Sequence, residues 1–166
     1  MEYEKVEHTL LPIADENSEV LILGTMPSPK SREVGFYYGH PQNRFWKVMA
    51  AVYDAPFPRD IEEKTAFLLQ NHIALWDVLA SCRICGASDA SIKDPMPNDI
   101  VGLLEKTKID KIYTTGTTAY RLYQKLCAPT VGIDAIPLPS TSPANARMRA
   151  DDLIRAYRSI LLNSFK

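Results

Sequence analysis

The sequence predicts an α/β fold, a three-layer sandwich with a central four-stranded parallel sheet flanked by helices. Three observations carry that expectation. Four short runs rich in Leu and β-branched residues, at 19–25, 73–79, 109–115 and 133–138, read as strands buried on both faces. The segments between them repeat apolar residues at helical spacing. The longer small-residue or polar loops leave the carboxyl ends of these runs, the edge where open α/β sheets bind ligands.

The elements follow in order. Residues 1–17 read as an irregular arm that Leu10, Leu11 and Ile13 pin to the core. The first strand closes on Gly24 and opens a long loop over 24–46, too aromatic for disorder. Pro41 suits a first helical turn, and Phe45, Val48, Met49 and Val52 keep helical spacing after it. Pro56 and Pro58 interrupt, and 59–70 predicts a second helix with Ile61, Thr65, Leu68 and Leu69 inward, ended by Asn71 and His72. The second strand is apolar except for Asp77, and a small, polar loop is expected over 81–96. Helices are expected after Asn98 and Asp99, after Gly116, and from Ala150 to about residue 162.

The totals narrow the class. A chain of 166 residues fits one domain, 1–166, with a single well-buried core. No apolar run approaches the roughly 18–20 residues of a membrane span, and the first residues lack a charged-then-apolar leader, so a cytoplasmic location and no membrane contact are expected. Three cysteines do not make a disulfide framework. Cys82-x-x-Cys85 lacks a second such pair or histidine partners, so neither a metal nor another cofactor is expected. A monomer is the default.

Net charge is −1, but its distribution is uneven. Residues 24–47 carry +3, 140–150 carry +2 and 81–93 carry +1, leaving −7 on the rest. Brought to one face, these windows would make a basic surface suited to nucleic acid; scattered, they are loop charges gathered by chance.

Several residues stand out chemically. The Gly24-Thr25-Met26-Pro27-Ser28 turn lacks both GxGxxG and GxxxxGK[ST], which argues against a simple nucleotide-binding domain. Its backbone N–H groups suit an anion or carbonyl, or the turn merely ends a strand. Phe36, Tyr37 and Tyr38 lie between Gly35 and Gly39, as core or as a stacking platform for a flat ring. Asn43 reads as a helix cap or a functional amide, Arg44 as a phosphate contact or a surface charge, and Phe45 and Trp46 as core anchors. Asp77 is the clearest anomaly, since a carboxylate in an apolar strand must sit at its end, hydrogen-bonded or neutral. It serves structure or function. His40 and His72 lack a neighbouring nucleophile pattern and read as structural.

These residues carry a resemblance. GTMP at 24–27 followed by FYYGHPQNRFW at 36–46 resembles the uracil-DNA glycosylase superfamily, and HPxNRFW is similar to its mismatch-specific branch. Together with LPSTSPANA at 138–146, the pattern is most similar to the hypoxanthine-DNA glycosylase branch, over roughly residues 8–160. The superfamily places Asp or Asn just before the Pro of the first motif, where Met26 stands here.

The resemblance implies a monofunctional DNA glycosylase of base excision repair acting on DNA with deaminated bases, hypoxanthine first. The alternatives are a uracil or mismatch-specific glycosylase, a binding-only nucleic-acid module, or a small-molecule α/β enzyme. It implies that Asn43 is catalytic, its amide oxygen orienting water, and that Tyr38 stacks on the extruded base. Asp77 reads the base, with Phe36, Thr25, Met26 and Ser140 completing the pocket. Ser28, Arg44, Ser142, Asn145 and Arg147 contact DNA.

Overall fold

The computed structural model describes residues 2–164, with side chains through 162. The central sheet is parallel and four-stranded: β2 (Val20–Gly24), β3 (Ile73–Asp77), β6 (Lys111–Thr115) and β7 (Ala135–Leu138), in the order β3-β2-β6-β7. Every residue of β2 is buried. Its side chains alternate between the two faces, as pleating requires. Val20 and Ile22 join Ile73, Leu75 and Tyr113 in one core, beneath α2 (Phe45–Val52), α3 (Ile61–Gln70) and α7 (Ala150–Ser164). Leu21 and Leu23 join Ala74, Ile112, Ile100 and Tyr123 in the other, beneath α4 (Ile100–Glu105) and α5 (Thr117–Leu126). The expected three layers are present.

Register fixes the site. Gly24 pairs with Asp77 and Leu23 with Thr114, while Thr115 pairs with Leu138. The carboxyl ends of all four strands therefore finish at one level.

Several expectations change. The N-terminal arm is not irregular throughout: β1 (Glu4–Glu7) pairs antiparallel with β4 (Leu79–Ile84), and β4 with β5 (Lys93–Pro97), forming a second, three-stranded sheet. The region expected as a loop over 81–96 supplies two of its strands. β4 alternates Cys82 and Ile84 inward with Arg83 outward, and β5 carries two prolines, tolerated at a sheet edge. The long first loop contains α1 (Pro29–Val34), where Ser28 caps the Ser31 N–H and Gly35 closes the helix at φ 83°. Helix α2 begins at Phe45 rather than Pro41, and α3 turns Ile61 outward and buries Phe67 beside Leu68. A further short helix, α6 (Ala128–Val131), follows α5.

Candidate active site

At the common carboxyl edge lies a cavity of ≈ 1100 Å³. Its walls bring together Gly24, Thr25, Met26, Tyr38, Asn43, Asp77 and Thr115 with Ser140, Thr141 and Asn145 of the last loop. The floor is tight. A Cβ on Gly24 would sit 2.5 Å from Asp77 Oδ1 and 3.1 Å from Tyr38 Oη, so only glycine leaves room for both groups.

Asp77 ends β3 and keeps 6 % of its side chain accessible. Its Oδ2 lies 2.8 Å from His8 Nε2, and the His8 side chain is 2 % exposed. The anomalous carboxylate is thus paired rather than isolated, as burial demands. His8 was not singled out from sequence. It lies just beyond β1, two residues after the buried Val6, and that inward alternation was the available signal.

Tyr38 adopts φ 52°, a left-handed backbone that a bulky residue rarely takes. This turns its ring away from its neighbours. Phe36 stacks on Trp46 at 5.9 Å and Tyr37 donates to Leu11 O, whereas Tyr38 stacks on Phe45 at 4.0 Å with an interplanar angle of 11°. Its hydroxyl shares a 3.0 Å hydrogen bond with Thr115 Oγ1. Burial, and then the Asp77 charge, push the Tyr38 phenol well above its ordinary value, so it stays protonated.

Asn43 sits where the loop enters α2. Its Oδ1 accepts from the Phe45 N–H at 2.9 Å and from the Thr141 hydroxyl at 2.8 Å. A backbone N–H can only donate, so the amide orientation is fixed. The oxygen is therefore occupied, and the group left for a ligand is the Nδ2 amine. That reverses the polarity expected from sequence, where the amide oxygen was to hold water.

Arg44 is not free for phosphate. Its guanidinium donates to the carbonyls of Met148, Ser142 (3.1 Å) and Asn145 (3.0 Å), tying α2 to the 139–149 loop. That loop is further fixed by Asn145 Nδ2 donating to Ser140 O and by Tyr157 donating to Pro139 O. Ser140 Oγ accepts from the Ser142 N–H at 3.1 Å, which leaves its own proton for a ligand.

Of the remaining expected residues, Thr25, Met26, Ser28, Ser142 and Asn145 line the cavity. Phe36 does not: it is 6 % exposed and belongs to the core beneath α2. Arg147 is exposed on the last loop, outside the cavity wall. The basic windows are partly self-neutralised, since Lys30 pairs with Glu33, Arg32 with Glu4 and Arg83 with Asp94. Sequence reasoning also passed over Asp89, on the β4–β5 connection at the cavity mouth. Although much of the residue stays accessible, the surrounding walls desolvate its carboxyl and raise its pKa, opposed by Thr25 and reinforced by the Asp77 charge. Among the described residues, no three His, Cys, Asp or Glu side chains are grouped to hold a metal ion, and no helix is long and apolar enough to cross a membrane.

A pocket at the carboxyl edge of a parallel sheet, with a stacking ring, a paired carboxylate and an amide at its walls, fits a flat heterocycle. Residues 11–162 match the family model described as the uracil DNA glycosylase superfamily, and the chain belongs to that superfamily. A hypoxanthine DNA glycosylase of Methanosarcina acetivorans is 37% identical over 137 residues, 81% of this chain and 85% of that protein. One of Methanosarcina barkeri is 37% identical over 84 residues, 50% of this chain and 53% of the relative. The fold agrees with the solution structure of a candidate uracil DNA glycosylase from M. acetivorans, at TM-score 0.77 and 32% identity over 92% of this chain and 97% of the other.

Proposed function

We propose that this chain is a monomeric, cytoplasmic, monofunctional DNA glycosylase that hydrolyses the N-glycosidic bond of a flipped hypoxanthine. The observation that carries the reading is the Asp77 carboxylate at the cavity floor, buried yet paired through only one oxygen to His8. The names of the two Methanosarcina relatives support the same substrate.

A base inside a duplex must leave the stack before its glycosidic bond is reachable. The open face of Tyr38 receives the ring, a contact worth about 1–3 kcal/mol. Asp77 Oδ1 accepts the ring N1–H of hypoxanthine, while the Ser140 hydroxyl and turn N–H groups of Thr25 and Met26 donate to its carbonyl and ring nitrogens. Adenine presents an acceptor at N1 and is refused, because two facing acceptors leave buried polar groups unpaired.

As the bond breaks, positive charge grows on the sugar and negative charge on the departing base. Preorganised donors around the base stabilise the latter. Asn43 then acts through Nδ2, donating to the oxygen of the attacking water and holding it against the sugar. Water adds late to the cation-like sugar, the C1′–O bond forming after the bond to the base has broken, so no strong base is needed. The proton it then loses passes through solvent to the departed base anion, giving neutral hypoxanthine and an abasic sugar. Among the described residues no lysine lines the cavity, which supports hydrolysis without a Schiff base or strand cutting. Ser28, Ser142 and Asn145 contact DNA at the rim, with Arg147 supplying a salt-sensitive phosphate contact.

Uracil presents the same N–H and carbonyl edge to Asp77, so a uracil-directed enzyme is the second reading. Oligonucleotides carrying deoxyinosine, deoxyuridine, deoxyxanthosine or deoxyadenosine, incubated with the protein and cleaved with alkali at abasic sites, separate the two. Fastest release from deoxyinosine supports the proposal. Binding without release of any base would indicate a binding module.

A further inference from the structure

Asp77 is held asymmetrically. Oδ2 lies 2.8 Å from His8 Nε2, whereas Oδ1 lies on the Gly24 side, 2.5 Å from where a Cβ would stand. His8 is itself fixed. Its backbone N–H donates to Ala80 O at 2.7 Å, and its ring packs against Tyr37 and Trp76 at 6.1 and 6.4 Å. Further along the arm, Ile13 exchanges two 2.9 Å backbone hydrogen bonds with Leu75. The arm is built to present this imidazole at the end of β3.

We propose that His8 is a specificity-determining positioning residue, which makes Asp77 Oδ1 a permanent hydrogen-bond acceptor facing the base. The inference rests on the reading of Asp77 as the base-reading group. The shared proton has two places. On His8 Nε2, the carboxylate is ionised and Oδ1 accepts. On Asp77 Oδ2, with the N–H of the neutral imidazole on His8 Nδ1, that proton points at Nε2, and Oδ1 is the carbonyl oxygen and still accepts. An imidazolium likewise donates from Nε2 to an ionised Asp77 and leaves Oδ1 an acceptor. Oδ1 therefore never carries a proton, and the pocket always selects a ring N–H.

Without His8 that constraint is lost. A buried carboxyl with no partner favours its neutral form. The other ionisable groups facing it are Tyr37 and Tyr38 from the long loop and Asp89 from the β4–β5 connection. Burial holds both tyrosines neutral, and Asp89 is itself acidic, so none replaces the imidazole. A protonated Asp77 with both oxygens free can turn an O–H toward the base, rejecting hypoxanthine and accepting adenine N1.

The test is single-turnover release of hypoxanthine and of adenine from matched duplexes, from roughly pH 5 to roughly pH 9, by the wild type, His8→Leu and His8→Gln, with melting curves as a check of folding. The expected wild-type preference for hypoxanthine is constant across the range. His8→Leu is expected to lose about tenfold or more of hypoxanthine release toward acid pH and to narrow its preference over adenine. His8→Gln, which still offers Oδ2 an N–H donor, is expected to restore the flat profile, an outcome a merely structural role would not produce. A folded His8→Leu with the wild-type profile and preference overturns the inference, as does a wild-type preference that changes through histidine titration, a result that requires no variant to fold. Asp77→Ala, which removes both oxygens, separates the two layers. Undiminished hypoxanthine release in that variant removes the base-reading role and this inference together. Lost release there, alongside an unaltered His8→Leu, removes this inference alone.

Discussion

Asn43 Oδ1 and Thr141 Oγ1 come from loops 98 residues apart and meet in a 2.8 Å hydrogen bond. Thr141 is 1 % exposed, and its backbone carbonyl also accepts from the Arg44 N–H at 3.1 Å. The two loops that would grip the flipped nucleotide are thereby one unit, and the Asn43 amide is orientated by it. Thr141→Val keeps the shape and removes the hydroxyl. The expected cost is about 1 kcal/mol of stability, the net worth of one hydrogen bond. Single-turnover base release should fall by about tenfold, as expected when the amide loses its fixed direction. DNA affinity should be unchanged. Urea melts, excision rates and gel-shift titrations measure the three separately.

Gly24 is a second point of tight fit. Gly24→Ala places a methyl 2.5 Å from Asp77 Oδ1, so the carboxylate or Tyr38 must move. Overpacking of this kind costs typically about 1–3 kcal/mol. A fall in Tm of several degrees with nearly complete loss of hypoxanthine release is expected. Normal activity in that variant would mean that the Asp77 position does not matter.

Arg44 and Arg147 should behave differently although both are cations near the site. Arg44 holds three carbonyls of the last loop, and charge-assisted hydrogen bonds contribute about 1.5–3 kcal/mol each. Arg44→Lys, unable to reproduce the fork, is expected to lower Tm and to leave the salt dependence of DNA binding unchanged. Arg147→Ala is expected to leave Tm unchanged and to reduce the salt slope of binding by about one unit. Fluorescence anisotropy at several salt concentrations, with melting curves, checks both.

Stability should fall in alkali. Burial raises the phenols of Tyr37, Tyr38, Tyr123 and Tyr157 above 10.0, and takes Tyr53 to about 12. The folded state therefore keeps protons that the unfolded chain releases near pH 10.0. With more protons bound to the folded state, unfolding free energy decreases as pH rises past that value, and the contribution is fully present below it. Urea unfolding from roughly pH 8 to pH 11 should show a plateau and then a decline, which Tyr123→Phe makes shallower.

The parallel sheet was legible because strands buried on both faces leave uninterrupted apolar runs, such as Val20 to Leu23. The second sheet was not. Its strands β1 and β5 are short edge strands whose Glu4, Lys5, Glu7, Pro95 and Pro97 read as loop chemistry. Asn43 and Tyr38 were legible as site candidates through their motif and Asp77 as a carboxylate in an apolar strand, but their partners were not, since His8 and Asp77 are 69 residues apart. Phe36 and Tyr38 look alike in sequence. Only the positive φ at Tyr38 sends one ring to the cavity and leaves the other in the core. Arg44 likewise read as a phosphate contact or a surface charge because nothing local indicates that three distant carbonyls claim it.

The most direct test is the single-turnover rate of hypoxanthine release from a deoxyinosine duplex by the wild type and by Asn43→Ala, with DNA affinity measured on the same samples. The account predicts a rate lower by about 10²-fold or more, the scale of losing one preorganised catalytic donor, at nearly unchanged affinity. A folded Asn43→Ala that releases hypoxanthine at the wild-type rate would contradict it.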